Sequence, residues 1–140
     1  MNQPIKVLFV CVANSARSQL AEALLRATDV RFAAFSAGSQ PSGVDPRTIA
    51  ALENVDVDAS GLRSKSVDEF KGERFDYVIT LCHKSAQECQ SVPDAGEVIA
   101  WDFPDPVTSN DPGAFRHVLQ DIHERIKLFV LVKTKHLEDV

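Results

Sequence analysis

Apolar positions along this chain fall into two alternating rhythms. Short runs that are apolar almost throughout occupy 6–11, 32–37, 75–82 and 97–101. Runs of this length read as strands, and a strand that is apolar on both faces belongs inside a parallel sheet. The run Phe75-Asp-Tyr-Val-Ile-Thr-Leu-Cys82 shows this best toward its end. Between the runs, apolar residues recur at intervals of three and four. That spacing predicts helices over 17–28, 46–54 and 112–135, and a shorter one over 84–90. In the last helix Phe115, Val118, Leu119, Ile122, Ile126 and Phe129 share one face. Asp111-Pro112 stands before it as an N-cap followed by proline at the first helical position.

Strands alternating with helices predict an α/β domain with a parallel sheet. Right-handed crossovers then select a flavodoxin-like, three-layer fold with four parallel strands in the order 2-1-3-4. A length of 140 residues suits one domain spanning 1–140. With 44% hydrophobic and 25% charged residues, the composition is that of an ordinary soluble globular protein. A net charge of −5 argues against a nucleic-acid partner. No apolar run reaches membrane-spanning length, and Met1-Asn-Gln-Pro-Ile lacks the features of a signal peptide. A cytoplasmic location is expected. Three cysteines in a reducing compartment then point to chemistry rather than to staples.

The predicted strand order places the ends of the first and third strands side by side, where ligands bind in such sheets. Cys11 ends the first run and Cys82 the third. Adjacent strands lie about 4.8 Å apart, within the reach of a disulfide. Directly after the first run comes Cys11-Val12-Ala13-Asn14-Ser15-Ala16-Arg17-Ser18, a Cys-x5-Arg segment leading into a helix. The backbone N–H groups of Val12 to Ser18 can converge on an anion. The helix N-terminus adds positive potential, and Arg17 offers two parallel donors. Such a field favours thiolate and makes Cys11 the candidate nucleophile. Asn14 tolerates left-handed backbone, and Ser15 and Ser18 bring hydroxyl donors. A bare Cys-x5-Arg pattern also suits a buried cysteine and a surface arginine; the strand-loop-helix context favours the anion loop.

Cys89 follows Cys82 by seven residues. On a straight helix that is about 10 Å, too far for a bond. Pairing the two requires the segment to unwind, and Lys84, Ser85 and Gln87 give it little apolar area to resist opening. Without Cys-x2-Cys spacing, a zinc site is the weaker reading. His83 reads as a surface residue, and His117, His123 and His136 as solvated positions in or near the last helix. After the fourth run, Trp101-Asp102-Phe103-Pro104-Asp105-Pro106 overhangs the same end of the sheet. Trp101 is expected to pack on the sheet. An aspartate before proline is biased toward extended backbone and can present a general acid to a departing oxygen. Asp105 is favoured for that role over Asp102.

Together these residues resemble the thioredoxin-coupled arsenate reductases that share the low-molecular-weight tyrosine phosphatase fold. The resemblance covers almost the whole chain. It runs through the loop 11–18, Ser36-Ala37-Gly38, Gly43-Val-Asp-Pro46, Val78 to Cys82, Cys89 and Asp105-Pro106. It implies arsenate as substrate, with phosphate and sulfate as mimics, bound by the loop and Arg17. It also implies attack by Cys11, protonation by Asp105, and a disulfide passed from Cys11–Cys82 to Cys82–Cys89. Thioredoxin would be the external reductant of a monomer with no bound cofactor. The alternative is a phosphatase of the same fold acting on phosphotyrosine or a small phosphoester. That branch lacks the later cysteine pair and typically has tyrosine after Asp-Pro, where this chain has Val107, Thr108 and Ser109.

The chain departs from the pattern in two loop positions. Ala13 stands where glycine is usual, so strain is expected there. Ala16 stands where a second loop cysteine is usual. Some members hold a potassium ion through positions matching Asn14 and Ser36 together with an acid. Arg63-Ser64-Lys65-Ser66 lacks that acid, so no metal is expected and Lys65 is the candidate substitute.

Overall fold

The computed structural model describes residues 3–81 and 95–138, with side chains through 135. The strands are β1 (Ile5–Cys11), β2 (Phe32–Gly38), β3 (Phe75–Thr80) and β4 (Ala95–Ala100). They form one parallel sheet in the order β2-β1-β3-β4. The helices are α1 (Arg17–Thr28), α2 (Pro46–Asn54) and α3 (Ala114–Glu138). This is the flavodoxin-like arrangement expected from the alternation of periods. The end of the third predicted strand at Cys82, the helix over 84–90, and His83 and Cys89 lie outside the described residues.

Side chains alternate across the sheet and divide the core in two. Val7, Phe9, Phe32, Ala34 and Ile79 pack against Leu20, Leu24 and Leu25 of α1 and Ile122 and Ile126 of α3. Trp101 joins this core with its ring 6.2 Å from Phe9 and 5.8 Å from Phe129. Leu8, Val10, Ala37 and Val78 form the second core with Phe70 and Phe75. Phe70 comes from a short 3-10 turn, Val67–Phe70, that the apolar pattern does not announce. Its ring meets Phe75 edge-on at 5.5 Å. Burying a side chain of this size contributes about 1.5–3 kcal/mol, so one turn suffices to anchor that connection.

Two boundaries shift for local reasons. Asp45 caps α2 through its side chain, accepting from Arg47 N–H at 2.8 Å, and the helix begins at Pro46. Asp111 makes the same bond to Gly113 N–H at 2.9 Å, yet α3 begins only at Ala114. Glycine is a poor helix former, and Asp111-Pro112-Gly113 makes a turn ahead of the helix. β4 begins two residues earlier than its apolar run, and most of its residues are exposed, Val98 by 62%. Among the described residues no helix is long and apolar enough to cross a membrane.

Candidate active site

Cys11 closes β1, is buried, and is paired in register with Gly38 of β2. The loop that follows turns its carbonyls outward. Val12 O accepts from Gln40 N–H at 2.8 Å, Ala13 O from Ser42 N–H at 3.1 Å, and Ser15 O from Asp45 N–H at 3.0 Å. Ser15 O also accepts from the Thr48 hydroxyl at 2.8 Å, and Asn14 O from Gln19 Nε2 at 3.0 Å. Ala16 O accepts from Leu20 N–H at 2.8 Å within the first turn of α1. A trans peptide points its N–H opposite to its C=O, so the donors that follow these carbonyls face the loop's interior. Ala16, the N-cap of α1, supplies no side-chain cap, and the first turn carries no acid. The helix N-terminus therefore keeps its donors and positive potential for an anion.

The left-handed residue of the loop is Asn14, with φ +49, not Ala13. The strain expected at Ala13 is absent, because the turn is made one residue later by a side chain that tolerates it. Asn14 is fully buried. Its Oδ1 accepts from Lys65 N–H at 2.9 Å, which orients the amide, and its Nδ2 donates to Ser18 Oγ at 2.7 Å. The Ser18 proton is thereby directed away from Asn14, and Cys11 Sγ lies 2.8 Å from the same oxygen. Ser18 can thus donate to the sulfur. Gly38 lets the loop lie this close: a Cβ there would meet Val12 O at 2.5 Å.

Cys11, Ala13, Ser15, Ala16, Arg17, Ser42, Asp105 and Val107 line one cavity of about 120 Å³. Arg17 crosses it. Its Nη1 donates to Phe103 O at 2.9 Å, and its Nη2 stands 3.8 Å from Asp105 Oδ2. Asp105 Oδ1 accepts from Val107 N–H at 3.0 Å. Asp102 is exposed and outside this cavity. A larger groove of about 470 Å³ between α2 and α3, bordered by Arg47, Phe115 and Arg116, contains none of the loop. Of the histidines, His117 is exposed, whereas His123 is half-buried and its pKa is lowered, chiefly by burial.

Beneath the loop sits a buried group that sequence reasoning located only in part. Lys65 Nζ donates to Arg63 O at 2.7 Å and to Ser36 Oγ at 3.4 Å, and stands 3.5 Å from Glu22 Oε1. Ser36 Oγ donates to the same Glu22 oxygen at 2.7 Å. The acid missing from 63–66 is therefore supplied by α1. Its signal was present: Glu22 lies four residues after Ser18, on the helix face that is buried. A potassium ion does not fit these residues, since an ammonium already occupies the space between their oxygens.

A loop with a cysteine at its floor and an arginine at its rim, set at the switch point of a doubly wound sheet, has the geometry of a thiol-bearing anion site. Residues 6–139 match the family described as low molecular weight phosphotyrosine protein phosphatase, and the chain belongs to it. It is 32% identical over 135 residues to an arsenate reductase of Halalkalibacterium halodurans, covering 92% of this chain and 96% of that protein. Among solved structures, an arsenate reductase from Archaeoglobus fulgidus is 36% identical with a TM-score of 0.76, over 89% of this chain and 98% of the other. An arsenate reductase in its phosphate-binding state is 30% identical with a TM-score of 0.77, over 90% and 96%.

Proposed function

We propose that this protein reduces arsenate to arsenite, with thioredoxin as the electron donor. The observation that supports this most directly is one small cavity lined by Cys11, Arg17 and Asp105. The relatives named arsenate reductase, and the one described in a phosphate-binding state, favour a tetrahedral oxyanion in that cavity.

In the reaction we propose, the N–H groups of Val12 to Ser18 and the Arg17 guanidinium hold arsenate. The Cys11 thiolate, supported by the Ser18 hydroxyl, attacks arsenic. Asp105 protonates a departing oxygen, which leaves as water. Cys82 then attacks Cys11 Sγ. The S–As bond breaks with its electron pair left on arsenic, giving arsenite and a Cys11–Cys82 disulfide. Cys89 attacks Cys82, frees the Cys11 thiolate and carries the disulfide to Cys82–Cys89. A thioredoxin dithiol takes it up, so the two electrons come from thioredoxin. The second step is supported by Leu81, one residue before Cys82 in the sequence, whose N–H donates to Val10 O at 2.9 Å. We expect the protein to work as a cytoplasmic monomer without a bound cofactor.

The test couples arsenate to NADPH oxidation through thioredoxin and thioredoxin reductase. Wild type should turn over repeatedly. Cys82→Ser and Cys89→Ser should each lose multiple turnovers. Full thioredoxin-coupled turnover by Cys89→Ser would overturn the relay. The family match supports a second reading, hydrolysis of phosphoesters. That activity needs only Cys11, Arg17 and Asp105, so a chromogenic phosphate ester assayed beside arsenate separates the two.

A further inference from the structure

We propose that Lys65 is a built-in counter-cation of the anion loop, a positioning residue whose ammonium holds Glu22 and Ser36 together and steadies Asn14 and Ser18 behind Cys11 without a metal ion. The inference rests on Cys11 being the nucleophile, not on arsenate being the substrate.

Lys65 is only 9% exposed, which is uncommon for a lysine without a dedicated partner. Its Nζ meets three oxygens from three segments: Arg63 O, Ser36 Oγ of β2 and Glu22 Oε1 of α1. Carbonyl, hydroxyl and carboxylate oxygens are the donors a hard cation takes. The same residue is pinned through its backbone on both sides. Its N–H donates to Asn14 Oδ1, and its carbonyl accepts from Gly38 N–H at 2.9 Å. Lys65 thus ties the ammonium cluster to the Asn14–Ser18–Cys11 line through one residue.

Among the described residues the charged groups around it are few. Glu22 also pairs with Arg26 at 2.8 Å through its other oxygen, and Arg63 pairs with Glu69 at 2.8 Å on the outer side. Burial pushes the Lys65 pKa down, and the Glu22 carboxylate opposes that shift. Gln19 is buried next to the cluster. It donates to Asn14 O and Arg63 O while its Oε1 has no partner among the described residues, so the oxygen surplus here extends past the three atoms that Nζ touches. Truncating Lys65 would leave a cation-sized space walled by oxygens.

The test reads alkylation of Cys11 by iodoacetamide at one neutral pH, resolved by peptide mass spectrometry, with no arsenate present. Wild type and Lys65→Ala are compared in potassium, ammonium or choline chloride at equal ionic strength. Wild type should react at one rate in all three. Lys65→Ala in choline should react about tenfold more slowly, the scale expected when a supporting partner of a site is lost. It should recover in potassium or ammonium. A wild-type rate for Lys65→Ala in choline, or a loss that no cation restores, would overturn the proposal. Should Lys65→Ala fail to fold in choline, its thermal unfolding in potassium decides: recovery of a cooperative transition supports the built-in cation, and no recovery overturns it. A wild-type melting temperature raised specifically by potassium would also overturn it. Because arsenate takes no part in any arm, none of these failures bears on arsenate reduction.

Discussion

The loop 11–18 that floors the cavity and the segment 101–109 that roofs it are held in different ways. Floor carbonyls are bonded to Gln40, Ser42, Asp45 and Thr48, and Ser64 Oγ reaches Ala13 O at 3.3 Å. Asn14 and Ser18 are fully buried. The roof starts firmly, with Trp101 N–H on Thr80 O at 2.7 Å and Phe103 N–H on Leu81 O at 3.2 Å. Beyond Phe103 the hydrogen bonds among the described residues are local: Thr108 Oγ1 to Asp105 O at 3.4 Å and Ser109 N–H to Pro106 O at 3.4 Å. The Asp105 side chain is 38% exposed. Long-range bonds thus set the shape of the cavity floor, whereas the carboxylate above it depends on a turn and on Arg17. Segments with few buried contacts open at lower cost, so in the proposed reaction Asp105 could adjust to the anion while Cys11 stays fixed.

Changes to the roof should therefore cost rate, and changes to the floor should cost both rate and stability. The largest effect is expected for Asp105→Asn, which keeps the turn's shape but cannot supply a proton. Turnover should fall by about 10²–10⁴-fold with the urea midpoint unchanged. Arg17→Lys keeps the charge and loses the fork that joins floor to roof. A loss of about 10²-fold in kcat/KM is expected, together with weaker phosphate inhibition. Gly38→Ala attacks the floor itself, since its Cβ would meet backbone at Val12 and Asn14. Urea unfolding should show a loss of about 1–3 kcal/mol, with slower Cys11 alkylation.

The smallest effect tests one of the floor's outer supports. Asp45→Ala removes the α2 cap and should cost about 1 kcal/mol near neutral pH. Its hydrogen bond to the Arg47 side chain holds the Asp45 carboxyl below the usual aspartate value of 3.8. A carboxylate depressed in the folded state stabilises fully above the unfolded value and less as pH falls through the folded one. The gap between wild type and Asp45→Ala in urea midpoint should therefore be constant above about pH 5 and narrow below pH 3.8.

How legible these parts were follows from how local their causes are. Helices over 17–28 and 46–54 coincide with α1 and α2, because their apolar periods and flanking residues lie within the segments themselves. The sheet order followed from chain connectivity alone. β4 was displaced by two residues because an exposed edge strand carries a weak apolar pattern. The 3-10 turn at Val67–Phe70 is too short to show a period. At the site, Cys11, Asn14, Arg17 and Ser18 were readable because they sit in one contiguous segment. Asp105 needed only the loop after the fourth strand to reach the same sheet end. The Glu22–Lys65 pair was harder: its members lie on α1 and on the segment joining α2 to β3, and only the folded packing joins them.

Asn14's left-handed backbone closes the loop, and its amide is already committed to Lys65 and Ser18 before any anion arrives. The cup is therefore moulded during folding and need not be shaped by its occupant. In the function proposed for it, an oxyanion entering the cup would forfeit its own freedom but immobilise little protein, which favours tight capture of a small, featureless ligand that could not organise its own receptor.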